Sequence, residues 1–141
     1  MKRKKSRKKT VALSRGKRKR AIARAYVKPG KGNLRINKLS LDAFTSNKYI
    51  KSLITEVITL IGPKWKKVDV DVNVRGGGLM GQVDAIRRAI AVGVSDYFKD
   101  DKMKEELYVY DPALIVEDTR RVEPKKDRQR KARAKYQKSY R

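Results

Sequence analysis

The sequence has no cysteine and no histidine. Those two absences exclude disulfides, Cys/His zinc sites, thiol nucleophiles and imidazole general bases together. They leave the redox compartment open, because a chain without cysteine suits either kind. No segment reaches the ~18 consecutive apolar residues that a membrane-spanning helix needs. The basic N-terminus carries no apolar run of the kind that makes a signal peptide, so a soluble, intracellular chain is expected.

Acidic residues are also scarce, 15 Asp and Glu against 39 Lys and Arg, for a formal net charge of +24. Such an excess repels itself in a compact state, which makes a polyanionic partner the economical explanation. Nucleic acid comes first and an anionic membrane surface second. The scarcity is local. Residues 1–41 hold 17 basic residues and no acid, 42–124 hold 13 basic and 14 acidic residues, and 125–141 hold nine basic residues and Asp127. The expected organisation is a basic N-terminal arm (1–9), a globular α/β RNA-binding domain (10–124) and a basic C-terminal tail (125–141). Met1 to Lys9 and Arg128 to Arg141 offer no apolar face and are expected to be disordered in the free protein. Two basic arms on a near-neutral domain read as RNA-threading extensions. A membrane-surface role is disfavoured, since the basic segments are not amphipathic.

Thr10 to Ser14 reads as a short strand and Arg15 to Arg20 as a basic turn. From Ala21 the chain alternates, with Ala21, Ala23, Ala25 and Val27 on one face and Ile22, Arg24, Tyr26 and Lys28 on the other, the period of a strand. Pro29-Gly30-Lys31-Gly32 is a turn signal. Leu34 and Ile36 then alternate with Arg35 and Asn37 in a returning strand, so a hairpin within a three-stranded antiparallel sheet is expected. Ile50, Leu53, Ile54, Val57, Ile58 and Ile61 predict a helix over Asn47 to Ile61, stopped by Gly62-Pro63. Val68, Val70, Val72 and Val74 mark a half-buried strand. After Gly76 to Gly78, Leu79, Val83, Ile86, Ile90, Val94 and Tyr97 line a second helix. Lys99 to Glu106 reads as a charged loop or short helix, Pro112 to Val116 as a segment packed on the core, and Trp65 as a buttress of the first helix end. The predicted fold is α+β, a two-layer β-β-β-α-β-α domain with helices on one face of the sheet.

Gly76-x-Gly78-x-x-Gly81 matches the letters of a dinucleotide fingerprint. The motif requires a parallel βαβ unit and an acid about 20 positions on, ending a second strand. Asp100 and Asp101 have that spacing but follow a helix, so the match does not carry nucleotide binding. Two readings of the glycines stand: a tight strand-to-helix turn, or helix N-terminal amides open to an RNA phosphate. Arg75, Arg87 and Arg88 favour the second. Asp69 and Asp71 share one strand face and read as solvated rather than as a catalytic pair. No enzyme activity, cofactor, metal or small-molecule substrate is expected. Tyr136 and Tyr140 lie in a tail with no core to join, where stacking on a base or ribose gives them a role. Tyr26, beside Arg24 and Lys28, makes a small RNA-facing surface.

Four blocks carry a resemblance. Val74-Arg75-Gly76-Gly77-Gly78-Leu79-Met80-Gly81-Gln82, followed by Ala85-Ile86-Arg87, resembles the central signature of the universal small-subunit ribosomal protein nine family. Arg18 to Ala25 with the Pro-Gly-Lys-Gly turn resembles its N-terminal block, and Asp118 to Lys126 the segment leading into its tail. The ending Tyr136 to Arg141 is similar to the archaeal and eukaryotic branch, whose eukaryotic counterpart is small-subunit protein sixteen. The resemblance spans about Arg15 to Arg141. It implies a left-handed β-α-β fold of the kind found in ribosomal protein five of the small subunit. It also implies a globular part on 16S-type ribosomal RNA in the subunit head, among neighbouring head proteins, and a tail that reaches the peptidyl-site transfer RNA. The ribosomal RNA contacts expected on these grounds are Arg15, Lys17, Arg18, Lys19, Arg20, Arg24, Lys28, Lys31, Arg75, Gly76, Gly77, Gly78, Arg87, Arg120, Arg121, Lys125, Lys126, Arg128, Arg130, Lys131, Arg133, Lys135 and Tyr136. The expected transfer RNA contacts are Lys138, Ser139, Tyr140 and Arg141.

Overall fold

Alternation of small or apolar residues with polar ones builds the sheet. The computed structural model describes residues 11–137 and 139. Strands β1 (Ala12–Arg18), β2 (Ala21–Pro29), β3 (Leu34–Ile36) and β4 (Val68–Arg75) lie side by side in the order β1-β2-β4-β3. Ala21, Ala23, Ala25, Val27, Ile36, Val68, Val70, Val72 and Val74 are all buried on one face. Ile22, Arg24, Tyr26, Lys28, Arg35, Asn73 and Arg75 are exposed on the other, as a period of two dictates.

Among the described residues four α-helices complete the domain: α1 (Leu41–Phe44) and α2 (Lys48–Ile61) before β4, α3 (Leu79–Phe98) and α4 (Asp101–Tyr110) after it. Helix α3 packs on β1, β2 and β4, and α2 packs beside α3. The Asn47 side chain caps α2 by accepting the Tyr49 amide at 3.0 Å, satisfying a donor that has no partner within the helix. At the other end Gly62 adopts φ 66°, the left-handed closure that glycine favours. Ile50, Ile54, Val57 and Ile61 enter the core, with Leu53 and Ile58 packed against it. Each fully buried aliphatic side chain contributes about 1.5–3 kcal/mol of transfer free energy.

The contact of α3 with β1 is unusually close because both partners are small. A Cβ on Gly16 would collide with the Ala85 carbonyl and meet the Ala89 nitrogen. Ser14 Oγ donates to the Ala89 carbonyl at 2.6 Å, and Gly93 sits over Ser14 and Val27. Ala85, Ala89 and Gly93, each four residues apart, form the stripe of one helix face that allows this approach.

The fold differs from the sequence-based expectation in several places. Strand β3 does not return antiparallel along β2. It pairs in parallel with β4, which inserts between β2 and β3 and pairs antiparallel with β2. The turn after Pro29 is therefore wide, and its backbone bonds run to β4: Gly30 N to Lys67 O at 3.0 Å, Gly32 N to Val68 O at 2.8 Å, Val70 N to Asn33 O at 2.9 Å. Strand β1 runs on through Arg18, and the expected six-residue basic turn shrinks to Lys19 and Arg20, with Lys19 at φ 53°. The charged stretch after α3 takes the helical one of its two expected forms and runs further, as the ten-residue helix α4, capped by the Asp100 side chain on the Met103 amide. Leu114 is buried as expected, but Leu79 and Val116 are exposed. Trp65 sits in a 3-10 turn at the end of α2, and its Nε1 donates to the Gly32 carbonyl at 2.9 Å.

Candidate nucleic-acid interface

The uncovered face of the sheet carries cations in register. Pairing aligns Lys17, Ile22 and Arg75 in one row, then Arg15, Arg24 and Asn73, then Leu13, Tyr26, Asp71 and Arg35. Lys28 and Asp69 make a fourth. The two acids in this field have partners. Asp71 accepts from Lys28 Nζ at 2.5 Å. Asp69 accepts the Lys31 and Asn33 amides, both at 2.9 Å, and these backbone donors hold its carboxyl below the ordinary range, Asn33 more strongly than Lys31. Arg24, Arg35 and Arg75 have no acidic partner among the described residues. Three concavities open on this face, of about 640, 430 and 250 Å3, and Tyr26 lines the first and third.

The glycine turn lies at one end of this face. Gly76 and Gly77 have φ 76° and 68°, which L side chains rarely adopt. A Cβ on Gly76 would lie 2.7 Å from the Arg20 carbonyl, and one on Gly77 2.9 Å from the Ala21 nitrogen. These two glycines therefore lock the start of α3 against the β1–β2 turn. Gly78 differs: its φ is −95°, nothing lies within 4 Å of a Cβ there, and as the first cap of α3 it supplies no side-chain acceptor. Arg20, Ile22, Arg24, Asn73, Arg75 and Gly76 surround the adjoining concavity.

Other expected contacts are occupied inside the protein. Arg18 pairs with Asp118 and lies 3.6 Å from Asp84. Arg87, with a side chain only 12% exposed, binds Glu56 at 2.9 Å and reaches Asp111 at 3.7 Å, joining α2 to the end of α4. Tyr110 Oη also donates to Glu56, and that neighbouring carboxylate raises the phenol pKa. Arg88 donates to the Arg15 and Ile115 carbonyls at 2.5 and 3.1 Å. Together Arg15, Arg18 and Arg88 draw residues 115–118 along the β1 edge, where Lys17, Lys19, Arg120 and Arg121 line one concavity.

Beyond this segment the tail has neither helix nor strand through Gln137. Lys125, Lys126, Arg128, Arg130, Lys131, Arg133 and Lys135 are exposed, and so is Lys31 in the wide turn. Arg133 grips Glu123 through two bonds of 2.9 and 2.5 Å, which lower the carboxyl pKa. The Arg130 guanidinium lies 6.0 Å from the Tyr136 ring centroid. Ser139 is exposed, while Lys138, Tyr140 and Arg141, like arm residues 1–9, fall outside the described residues. Arg35, Lys38 and Asn73 line the open face but were absent from the expected set. Alternation with Leu34 and Ile36 was the signal available for Arg35. Lys38 and Asn73 had none beyond polarity.

Among the described residues no cluster of His, Cys, Asp or Glu could hold a metal ion, and no helix is long and apolar enough to cross a membrane. The described residues thus form an α+β domain with one cationic open face and a basic tail without helix or strand. The family model described as ribosomal protein S9/S16 matches residues 16–141. Among similar proteins, "small ribosomal subunit protein uS9" of Picrophilus torridus is 44% identical over 126 residues, covering 89% of this chain and 94% of its own. That of Pyrobaculum aerophilum is 44% identical over 131 residues, 93% and 92% of the two chains. That of Methanothrix thermoacetophila is 45% identical over 131 residues, 93% and 98%. The chain belongs to the ribosomal protein S9/S16 family.

Proposed function

We propose that this protein is a structural, non-catalytic constituent of the small ribosomal subunit, working in the cytoplasm as part of the ribosome. In this reading it binds 16S-type ribosomal RNA in the head, beside other head proteins. Its C-terminal tail, Lys138, Ser139, Tyr140 and Arg141, reaches the peptidyl-site transfer RNA. The observation that carries the reading is agreement over about nine-tenths of both chains with relatives that bear the small-subunit name. The physical features fit it. The N-terminal arm, the open sheet face, the β1–β2 turn and the tail offer separate groups of cations, and each phosphate they neutralise releases counterions. Arg24, Arg75, Arg121 and the exposed basic residues of the tail are the contacts we assign first. Arg18 and Arg87 instead hold the domain together.

Sedimentation of small subunits in high salt tests the assignment. An integral constituent stays with the particle after a wash that strips loosely bound factors. Release of the protein into the top fractions would reduce it to a free RNA chaperone or assembly factor.

A further inference from the structure

We infer that the open sheet face receives an unpaired ribosomal RNA nucleotide, its base stacked on Tyr26 and its flanking phosphates held by Arg24, Arg35 and Arg75. The inference rests on the RNA-binding reading above and adds the form of RNA that this face takes.

Register places Tyr26 among these cations. Arg24 precedes it by two residues on β2, Asp71 stands opposite on β4, and Arg35 lies one strand further in the same row. Arg75 stands opposite Ile22, one row beyond Arg24. Residues two apart on a strand lie about 6.6 Å from each other along one face, and neighbouring strands are about 4.8 Å apart. Tyr26 is 42% exposed although the opposite face of the same strand is fully buried. It stands between concavities of about 640 and 250 Å3, the larger within the size range of small-ligand sites. Asn73, exposed beside the larger one, offers an amide donor and acceptor for a base edge.

An aromatic ring framed by guanidinium groups suits an unstacked base better than a duplex. A-form helices are recognised by shape and through phosphates and 2′-hydroxyls, for which an aromatic is unnecessary. A splayed base offers a π-face to the ring whatever its identity. The field is also cationic enough to exclude a basic protein segment, because Asp69 and Asp71 are engaged in the turn and with Lys28.

The test uses small subunits reconstituted with the full-length wild-type chain, Tyr26→Phe or Tyr26→Ala. Ultraviolet crosslinking followed by trypsin isolates the peptide of residues 25–31, because the Lys28–Pro29 bond resists trypsin and the next cut follows Lys31. The expected result is a crosslink from that peptide to one nucleotide that chemical probing of the subunit scores as unpaired. In binding to naked 16S-type ribosomal RNA at a salt concentration that screens the arms, Tyr26→Phe stays near wild type. Tyr26→Ala weakens about 5- to 150-fold, the loss of one stacked base. Circular dichroism melts of the free variants establish that they fold, and the wild-type crosslink needs no variant. Crosslinking to a base-paired nucleotide, to another protein or to nothing overturns the inference, as does equal affinity of a folded Tyr26→Ala chain. If the wild type itself fails to bind the RNA or enter the subunit, the proposed function falls with it, so the two failures are distinguishable.

Discussion

Replacing Gly77 by valine should unfold the turn before it affects RNA. Two costs add. The backbone sits at φ 68°, where an L residue pays about 1–2 kcal/mol, more for a β-branched one. The new Cβ would also lie 2.9 Å from the Ala21 nitrogen and 3.0 Å from its Cβ, in a hairpin that cannot retreat without breaking strand pairing. Crowding of this kind costs about 1–3 kcal/mol, for a total of about 2–5 kcal/mol. In a domain of this size each kcal/mol lowers the melting temperature by roughly 4 °C, so a fall of roughly 8–20 °C is expected. Gly78→Ala is the control: with φ −95° and open space around the new Cβ, its melting temperature should stay within about 2 °C of wild type. The assay is a far-ultraviolet circular dichroism melt of each free protein, paired with RNA binding. A Gly77→Val protein that melts like wild type would refute the steric argument. A stable Gly78→Ala protein with weakened RNA binding would show that the exposed start of α3 also meets a phosphate.

Ile54→Ala, at a position with no exposure, should cost about 2–5 kcal/mol and shift the urea midpoint with an unchanged slope. Arg87→Ala leaves Glu56 and Asp111 facing a half-buried void and should lower stability by about 1–3 kcal/mol while the salt dependence of RNA binding holds; an unchanged melt with a shallower salt slope would return Arg87 to the RNA surface. The Asp69 carboxyl pKa is depressed in the folded protein, so its contribution is present above the unfolded carboxylate range and is lost as pH falls through the folded value. Protection of the Lys31 and Asn33 amides against exchange, relative to the intrinsic rate at each pH, should fall selectively over that acid window, and the Asp69→Asn protein should show no such step. Deleting Tyr140 and Arg141 should leave assembly intact and weaken peptidyl-site transfer RNA retention by about 1–3 kcal/mol, the value of one charge-assisted hydrogen bond, measured by filter binding to reconstituted subunits.

What the sequence made legible is what local periodicity encodes. The inward face of β2, the apolar face of α2 and the valines of β4 can each be read residue by residue, because a wrong face would expose them. Strand order could not be read. Leu34 and Ile36 announce a strand and an inward face, but period two is blind to whether the neighbour is β2 or β4. The choice is made by backbone bonds from Gly30, Gly32 and Asn33 to residues 67–70, more than 30 positions away. Gly16 misled for a related reason. A glycine among cations looks like a turn, while its use here is to let Ala85 and Ala89 approach a strand. The site was legible as charge and not as geometry. Arg87 and Arg24 look alike in the sequence, but one is held between two acids and the other faces solvent.

The insertion of β4 between β2 and β3 has a consequence for how the chain is made. Strands β1, β2 and β3 leave the synthesising ribosome first, and the strand that unites them follows only after α1 and α2. Until residue 75 has emerged, the β1–β2 hairpin leaves the β2 edge unpaired and β3 has no neighbour in the sheet. Unpaired edges are templates for pairing with other chains, and joining partners some 45 residues apart is slow because the loop between them must first close. The cations of the half-made sheet, with no acid before Asp42, then act as its protection. Two nascent copies repel each other along the same edge that β4 will later seal.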